Sequence, residues 1–303
     1  MTSAADGTLP LLHPTVAACL EQIQRLSVNV GTDLPDPAAY AALYHLPEKG
    51  SYSRLPEPLL AAAAKLNRQS STLCEAYNRY LMVARLEVLA QQNPGSLTLP
   101  DSVTALLERQ RQRIASLLAS PPPGYLSLDF DPFLKDLAIT IGQFIPLGAE
   151  FALPDAGIPR NLLLRGGFAQ RLRFGWFMLR QHGCLQGYLE LHAHPLDLGS
   201  FNPEGWSTTL DNLAALLRAN PGIPGAFSTS WFLDPQLQTI SPRLAYLREM
   251  SLTSGASLFL VGEDPSGNSG ALQRSPTRKR LFASGQYIPR IYTRIWERKR
   301  LLG

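Results

Sequence analysis

The spacing of apolar residues divides the chain into two parts. In residues 1–125 they recur three and four positions apart, which is the spacing of one face of a helix. Asp36, Ser70 and Asp101 are predicted N-caps, because a short oxygen-bearing side chain can accept a free N–H of the first turn. The predicted helices are HPTVAACLEQIQRL, DPAAYAALYHL, PEPLLAAAAKLNRQ, SSTLCEAYNRYLMVARLEVLAQQ and DSVTALLERQRQRIASLLAS. Asn93-Pro94-Gly95 predicts a break before the last of them, and Pro121-Pro122-Pro123-Gly124 ends it.

Residues 126–303 show a different pattern, in which strand-like and helical segments alternate. A helix is predicted from Asp131, and the Pro-rich ALPDAGIPR is predicted to be a connection. RLRFGWFMLRQ and CLQGYLELHAH are predicted to form an antiparallel hairpin around His182-Gly183. The predicted elements after it are a helix from about Trp206 to Arg218, the strand GAFSTSWF, a helix in ISPRLAYLREM, the strand ASLFLVG, the helix SPTRKRLFAS and the strand YIPRIYTRIW. The pattern predicts an α+β protein, with an α-helical domain over 1–125 and a mixed sheet with flanking helices over 126–303.

The predicted strand around GYLELHAH contains more titratable side chains than any other predicted strand. Side chains alternate along a strand, so a strand over 184–194 is predicted to place Glu190, His192 and His194 on one ligand-facing side. Glu190 or His192 can then act as a general base, since histidine titrates near neutral pH. Alternatively, His192 and His194 bind a metal ion together with Glu190 or Asp197. A face of ordinary solvated polar residues remains the third interpretation.

Composition indicates a globular protein, because 45% of the residues are hydrophobic and 17% are charged. No apolar run is long enough to span a bilayer, and the N-terminal residues do not resemble a signal peptide, so a cytoplasmic location and no membrane partner are expected. Cys19, Cys74 and Cys184 lie far apart, which argues against disulfides or a thiolate zinc site. The motifs of α/β serine hydrolases, P-loop nucleotide hydrolases, dinucleotide oxidoreductases and zincins are absent.

The positive charge is concentrated near the end of the chain. The formal net charge is +4, yet residues 243–303 contain 11 lysines and arginines against 4 acidic residues. Such a segment favours an anionic partner, for example a nucleotide cofactor, RNA or an acidic surface, although a solvated basic end is the simpler alternative. On the strand YIPRIYTRIW, Arg290, Tyr292, Arg294 and Trp296 share one face, which suits an anion or RNA surface or a charge-protected edge.

Two further clusters are candidate binding residues. Ser228 and Ser230 lie on one face of a strand near its carboxyl end, a position that often faces a ligand. Ser275-Pro276 begins a helix whose free N–H groups lie beside Arg278, Lys279 and Arg280, an arrangement that suits a phosphate or pyrophosphate. The candidate cofactor-binding residues are Arg243, Ser275, Arg278, Arg280 and Tyr287.

In the second half of the chain the order is hairpin, helix, strand, helix, strand and final strand, with a polar strand face at Glu190 and His192 before a helix. This order resembles the GNAT superfamily of acyltransferases. In that family the central strands separate to hold the pantetheine arm of an acyl-CoA, and a Glu or His can serve as base. The resemblance implies that CLQGYLELHAH is the fourth strand, that the helix after Trp206 receives the pyrophosphate, and that GAFSTSWF is the fifth strand. The chain departs from the family at the Q/R-x-x-G-x-G/A loop, where it has PLDLGSFNPEGW. Some proteins of this broad fold resemble transferases that use aminoacyl-tRNA instead.

These observations predict an N-acyltransferase that moves an activated acyl group, from acyl-CoA or aminoacyl-tRNA, to a small-molecule amine. Glu190 or His192 is expected to deprotonate the amine, and Ser228 or Ser230 to bind the oxyanion. Arg278 and Arg280 are expected to hold the phosphates of the donor. The alternatives are a metal-dependent enzyme that uses His192 and His194, and a non-catalytic scaffold that binds another protein. The oligomeric state is left open.

Overall fold

The structure is a computed structural model that describes residues 14–28, 30, 34–45, 51–91 and 95–303. The chain forms two compact units. The first takes the described residues within 1–48, 52–96 and 107–144, and the second takes those within 49–51, 97–106 and 145–303. The first unit therefore extends past residue 125, to residue 144.

The first unit is helical, as predicted. Its helices are α1 (Val16–Ser27), α2 (Pro37–Ala42), α3 (Glu57–Gln69), α4 (Ser71–Gln91), α5 (Asp101–Ala119, the first residues of which belong to the second unit) and α6 (Asp131–Thr140). Helix α4 packs against α1, α2, α3 and α6. The caps at Asp36 and Ser70 are confirmed, because their side chains accept the N–H groups of Ala39 and Leu73. The predicted break at Asn93-Pro94 lies outside the described residues.

The second unit is built on a six-stranded sheet. Its strands are β1 (Ile145–Pro146), β2 (Phe151–Ala156), β3 (Tyr188–His192), β4 (Gly225–Ser230), β5 (Ser257–Glu263) and β6 (Arg290–Glu297). They are ordered β1-β2-β3-β4-β6-β5, and only β3 and β4 run parallel among these neighbours. The helices of this unit are α7 (Phe168–Arg180), α8 (Pro203–Ala219), α9 (Leu237–Ile240), α10 (Ala245–Thr253), α11 (Pro276–Ala283) and α12 (Arg298–Leu301). The predicted α+β class with a mixed sheet is confirmed.

The predicted hairpin is wrong in its first half, because RLRFGWFMLRQ lies in helix α7. Its alternating apolar residues suggested a half-buried strand, but only Phe174 and Phe177 are buried, at helical spacing. Leu172 and Trp176 are exposed and produced the misleading alternation.

The segment ALPDAGIPR also departs from the sequence prediction, because it begins within strand β2 rather than forming only a connection. Pro154 obscured this strand, since proline cannot donate a hydrogen bond to a neighbouring strand. In the structure, the register of β2 against β3 shifts between Leu153 and Ala156, so Pro154 lies at that irregularity.

Each face of the sheet is covered by helices. One face carries a core of Leu189, Leu191, Ala226 and Trp296 that also includes residues of α8 and α10. The opposite face carries Tyr188, Phe227, Phe259 and Ile295, packed with Phe174 and Phe177 of α7. Burial on both faces fixes the register of the central strands, because a shift by one residue would exchange the two sets.

Helix α7 also covers the outer edge of the sheet, which is strand β5. The side-chain amide of Gln170 donates to the carbonyl oxygen of Leu260 at 2.8 Å and accepts its N–H at 2.7 Å. Arg173 donates to the carbonyl oxygen of Leu258. These contacts occupy backbone groups that an exposed edge strand would offer to another chain.

Candidate functional site

The parallel pairing of β3 with β4 is short. Leu189 is paired with Ala226 and Glu190 with Phe227, while β3 continues to His192 and β4 to Ser230. The two strands have no further residue pair in their register beyond these two. His192, Ser228 and Ser230 all lie near this point along the sheet, but His192 is on the face of Glu190 and Phe227, whereas the two serines are on the face of Leu189 and Ala226.

Glu190 and His192 lie side by side at this end of β3. Their side chains are 31% and 25% exposed, and His192 Nε2 lies 3.6 Å from Glu190 Oε2. Each side chain offers an atom that can accept a proton from a substrate, a ring nitrogen of His192 or a carboxylate oxygen of Glu190. The prediction that these two side chains share one side of a strand is confirmed by the register of β3.

His194 does not join them, which corrects the prediction of a strand over 184–194 with three residues facing a ligand. The strand ends at His192, and His194 is fully buried. Its Nδ1 accepts the N–H of Leu196 at 3.2 Å, and its ring packs against Phe151 with centroids 5.5 Å apart. The turn at Pro195 takes the chain out of the strand, so the alternation no longer holds there.

The alternative of a metal site at His192 and His194 lacks a set of ligands in the described part of the chain. No group of three or more His, Cys, Asp or Glu side chains there is arranged to hold a metal ion. The Nδ1 lone pair of His194 is already used by the backbone of Leu196.

Ser228 belongs to a buried network that the sequence did not predict. Its hydroxyl accepts a hydrogen bond from Arg294 Nε at 2.7 Å. Arg294 also donates to Ser251 Oγ at 3.1 Å and to Glu150 Oε2 at 2.6 Å. Ser230 is separate, because its hydroxyl caps the following 3₁₀ turn by accepting the N–H of Phe232. Both serines keep a hydroxyl proton that can be donated, but they lie on the face of the sheet opposite to Glu190 and His192.

The Glu150–Arg294 ion pair is fully enclosed. Burial raises the pKa of Glu150, against the opposing charges of Arg294 and His192. Burial likewise lowers the pKa of Arg294, and Glu150 opposes that change. The rings of Trp206 and Trp296 lie 4.2 and 4.8 Å from the guanidinium carbon, so the cation is also held by two aromatic faces.

This burial corrects one prediction for the basic strand β6. Arg294 and Trp296 share a face with Tyr292, as predicted, but they are buried and offer no surface to RNA or another large anion. No sequence signal pointed to Glu150, because it lies in the short connection between β1 and β2.

Tyr246 of α10 is a further residue that sequence patterns missed. Its hydroxyl is buried and has no hydrogen-bond partner within the described residues. Burial raises its pKa to about 12, and the nearby charges of Glu150 and Glu204 act in the same direction. The hydroxyl is thus protonated and available to a ligand.

Three of the predicted cofactor-binding residues line one pocket. Arg243, Ser275 and Arg278 surround a pocket of about 540 Å³, together with Arg274. Ser275 caps α11 as predicted, because its hydroxyl accepts the N–H of Arg278 at 3.2 Å. Arg280 and Tyr287 are not among the residues that line this pocket.

Arg278, expected to bind the donor's phosphates, has its guanidinium engaged within the protein. It donates to the carbonyl oxygen of Ala271 at 2.6 Å and to Ser241 Oγ at 2.8 Å, and it lies 4.7 Å from the Trp231 ring centre. Burial lowers its pKa. The exposed cations on and beside α11 are instead Arg243, Arg274, Lys279 and Arg280. Tyr287 is buried, and its pKa is raised by burial and by the charge of Asp234.

The loop before α11 provides a test of stability against pH. Burial would raise the pKa of Asp264, but hydrogen bonds from Ser269 and Ser266 lower it to about 2, below its ordinary value of 3.8. Charged Asp264 therefore stabilises the fold above pH 3.8, and this contribution is lost as the pH falls toward 2. In acid denaturation followed by tryptophan fluorescence, Asp264→Asn should flatten the loss of stability between about pH 4 and 2. The exposed Asp211→Asn should leave that slope unchanged, and equal slopes for both variants would contradict the assignment.

Comparison with solved structures finds proteins of the same fold. An acyltransferase in complex with CoA and 10C-teicoplanin matches with a TM-score of 0.51 and 15% sequence identity. An acyltransferase in complex with decanoyl-CoA and teicoplanin matches equally well, and a mutant acyltransferase in complex with octanoyl-CoA has a TM-score of 0.52 at 15% identity. Each match covers 96% of this chain and 90% of the other. The chain shares the fold of these acyltransferases.

Two other comparisons find nothing. No model of a protein family matches the chain, and no curated protein does. Among the described residues, no helix is long and apolar enough to cross a membrane.

Proposed function

We propose that the protein is an acyltransferase that takes an acyl group from an acyl-CoA and passes it to the amine of a small molecule. The observation that carries the proposal is the parallel β3–β4 pair, which ends after two residue pairs with Glu190 and His192 beside the end of the pairing. It occurs in a fold shared with acyltransferases crystallised with CoA or acyl-CoA.

The end of this pairing suits the donor. The pantetheine arm of CoA contains amide groups, which can hydrogen-bond to a strand edge as an added peptide does. Leu191 and Ser228 lie beyond the last residue pair of β3 and β4. Their peptide groups, and those of their neighbours, are not paired across the two strands and can hydrogen-bond to the pantetheine amides. The short parallel pair also supports the resemblance to the GNAT superfamily, with β3 as its fourth strand and β4 as its fifth.

The proposed reaction needs no covalent enzyme intermediate. The amine nitrogen attacks the thioester carbonyl carbon while His192 or Glu190 accepts the amine proton. The carbonyl oxygen becomes an oxyanion, which backbone N–H groups at the end of the β3–β4 pairing stabilise by donating hydrogen bonds, because Ser228 and Ser230 lie on the face of the sheet opposite to Glu190 and His192. The carbon–sulfur bond then breaks, and the CoA thiolate leaves with a proton. Tyr246 is our candidate for that proton donor, because its hydroxyl has no partner among the described residues.

Acyl-CoA is favoured over aminoacyl-tRNA as the donor. The strand expected to provide an RNA surface has Arg294 and Trp296 buried. The exposed guanidinium groups of Arg243 and Arg274, at the pocket beside Ser275, are a compact site for the phosphates of CoA.

The donor is tested directly by calorimetric titration with CoA and with decanoyl-CoA. Thiol release from decanoyl-CoA is then followed with and without added small-molecule amines. We expect saturable binding of both ligands, and thiol release that depends on amine and enzyme. Absence of binding, or release no faster than spontaneous hydrolysis for every amine tried, would overturn the proposal.

The phosphate site makes a separate prediction. Arg243→Glu together with Arg274→Glu should weaken CoA binding by at least about tenfold, because charge-assisted hydrogen bonds contribute about 1.5–3 kcal/mol each. The loss should shrink as salt is added, since salt screens the phosphates.

The matched control for this test is Arg109→Glu with Arg218→Glu, which changes the net charge equally at exposed positions outside the pocket. Equal weakening by the two double variants would show that only overall charge matters, and the assignment of the pocket would fail.

A further inference from the structure

One side of α7 is apolar and open to solvent. Phe168, Leu172, Trp176 and Leu179 follow one another at spacings of four, four and three residues, so they form a stripe along the helix. Phe168, Trp176 and Leu179 are 76%, 63% and 71% exposed. Leu163 and Leu164 of the preceding 3₁₀ turn are also exposed. We call this set of residues the α7 face.

A groove runs along the α7 face. It has a volume of about 980 Å³ and is lined by Leu163, Leu172, Trp176 and Leu179 among others. Gly175 lies within it, and a Cβ at this glycine would stand 3.7 Å from Leu163 Cδ1. A contiguous apolar surface of this kind on a globular protein indicates an interaction site.

The charges around the α7 face have one sign. Residues 157–187 contain five arginines and no aspartate or glutamate. Arg160, Arg165 and Arg171 are exposed and form no ion pair within the described residues. Arg180 is bound to Glu297 at 2.7 Å, and Arg173 is bound to β5. An apolar stripe bordered by free arginines is complementary to a surface that is both apolar and negatively charged.

We propose that the α7 face docks the protein onto an anionic lipid membrane. Its leucine, phenylalanine and tryptophan side chains enter the boundary between headgroups and acyl chains, and the arginines bind lipid phosphates. Tryptophan is favoured at this depth, because its ring is apolar and its N–H is polar. The proposal concerns peripheral attachment and goes beyond acyl transfer. It departs from the sequence expectation of no membrane partner, which rested on the lack of a spanning segment.

A second copy of the chain fits this face less well. An isologous contact through α7 would bring the free arginines of both copies together without any acidic residue from 157–187 to neutralise them. Attachment to a membrane needs no rearrangement, since Phe174 and Phe177 on the other side of the helix stay buried against the sheet.

The experiment is sedimentation of the full chain with lipid vesicles. We expect binding to vesicles of phosphatidylcholine with phosphatidylglycerol, weak binding to phosphatidylcholine alone, and release by high salt. Leu172→Ser with Trp176→Ser should weaken vesicle binding more than tenfold. Arg165→Glu with Arg171→Glu should weaken it by about 25-fold or more, taking about fivefold for each arginine removed.

The controls are Leu252→Ser, an apolar residue 48% exposed on α10, and the charge-matched pair Arg109→Glu with Arg218→Glu. If either control loses as much binding as its counterpart, the α7 face is not the attachment site. The same conclusion follows if the wild-type chain does not sediment with anionic vesicles. If the wild-type chain is a dimer in solution and Leu172→Ser with Trp176→Ser converts it to a monomer, the membrane proposal is wrong. The α7 face then binds a second copy of the chain.

A readout on folded protein guards against a variant that fails to fold. Brominated lipids should quench part of the tryptophan fluorescence of the wild-type chain, and Trp176→Phe should abolish that quenching while keeping an aromatic ring in place. Quenching that persists in Trp176→Phe would overturn the proposal. Acyl transfer in solution is measured separately, so failure of one proposal is distinguishable from failure of the other.

Discussion

Replacing Glu150 with leucine should lower the free energy of unfolding of the second unit by about 3–5 kcal/mol, because it leaves Arg294 charged and buried without its partner. The measurement is guanidinium denaturation followed by tryptophan fluorescence. All four tryptophans lie in residues 145–303, so their fluorescence reports on the second unit alone. A loss this large is expected because the ion pair is enclosed, with side chains only 2% and 6% exposed.

An exposed ion pair distinguishes the effect of burial on stability from the effect of charge. Arg290 and Glu263 lie 3.1 Å apart with side chains 41% and 49% exposed, and Glu263→Leu should cost less than about 1 kcal/mol. The double variant Glu150→Leu with Arg294→Met should recover much of the loss, since neither charge then remains buried. A double variant no more stable than Glu150→Leu alone would show that the unpaired charge is not the cause.

Replacing His192 with alanine should lower kcat for acyl transfer by about 10²- to 10⁴-fold, the contribution of a general base. The midpoint of denaturation should change little, because His192 is partly exposed at the end of a strand. Affinity for CoA, measured by calorimetry, should also be nearly unchanged, since the side chain acts on the amine and not on the phosphates.

Two further variants make this test specific. His45→Ala removes an exposed histidine of the first unit and should leave kcat unchanged. Glu190→Gln keeps the shape of its side chain and removes the carboxylate that is the alternative proton acceptor, so a smaller loss is expected. If His192→Ala and Glu190→Gln both retain full activity, neither residue is the base and the proposed mechanism is wrong.

Sequence patterns predicted helices and strands correctly where the spacing of apolar residues reflects their burial. The five helices predicted in residues 1–125, the helix predicted from about Trp206 to Arg218 and the strands β4, β5 and β6 are present among the described residues, because their apolar side chains face a core. Helix α7 was missed for the opposite reason, since its apolar residues at 172 and 176 face solvent. Strand β2 was missed because Pro154 is typical of a connection.

The candidate site was predictable only in part. Period two along GYLELHAH places Glu190 beside His192, but the pattern cannot show that the strand ends before His194. Glu150 and Arg294 are separated by well over a hundred positions, and only the sheet order brings them together. Likewise, the charge on Arg278 predicts a surface residue, whereas its contacts with Ala271 and Ser241 depend on how the loop before α11 folds.

The hydrogen bonds between the Gln170 side chain and the backbone of Leu260 make the exchange of one backbone N–H a measure of how often helix α7 detaches. The N–H of Leu260 is protected from exchange with solvent by a side chain of α7, and not by a neighbouring strand. Its exchange rate therefore follows the detachment of α7, while the N–H groups shared between β4 and β6 follow the opening of the sheet itself. On a membrane, where α7 is held from outside, Leu260 should exchange more slowly and the others should not change.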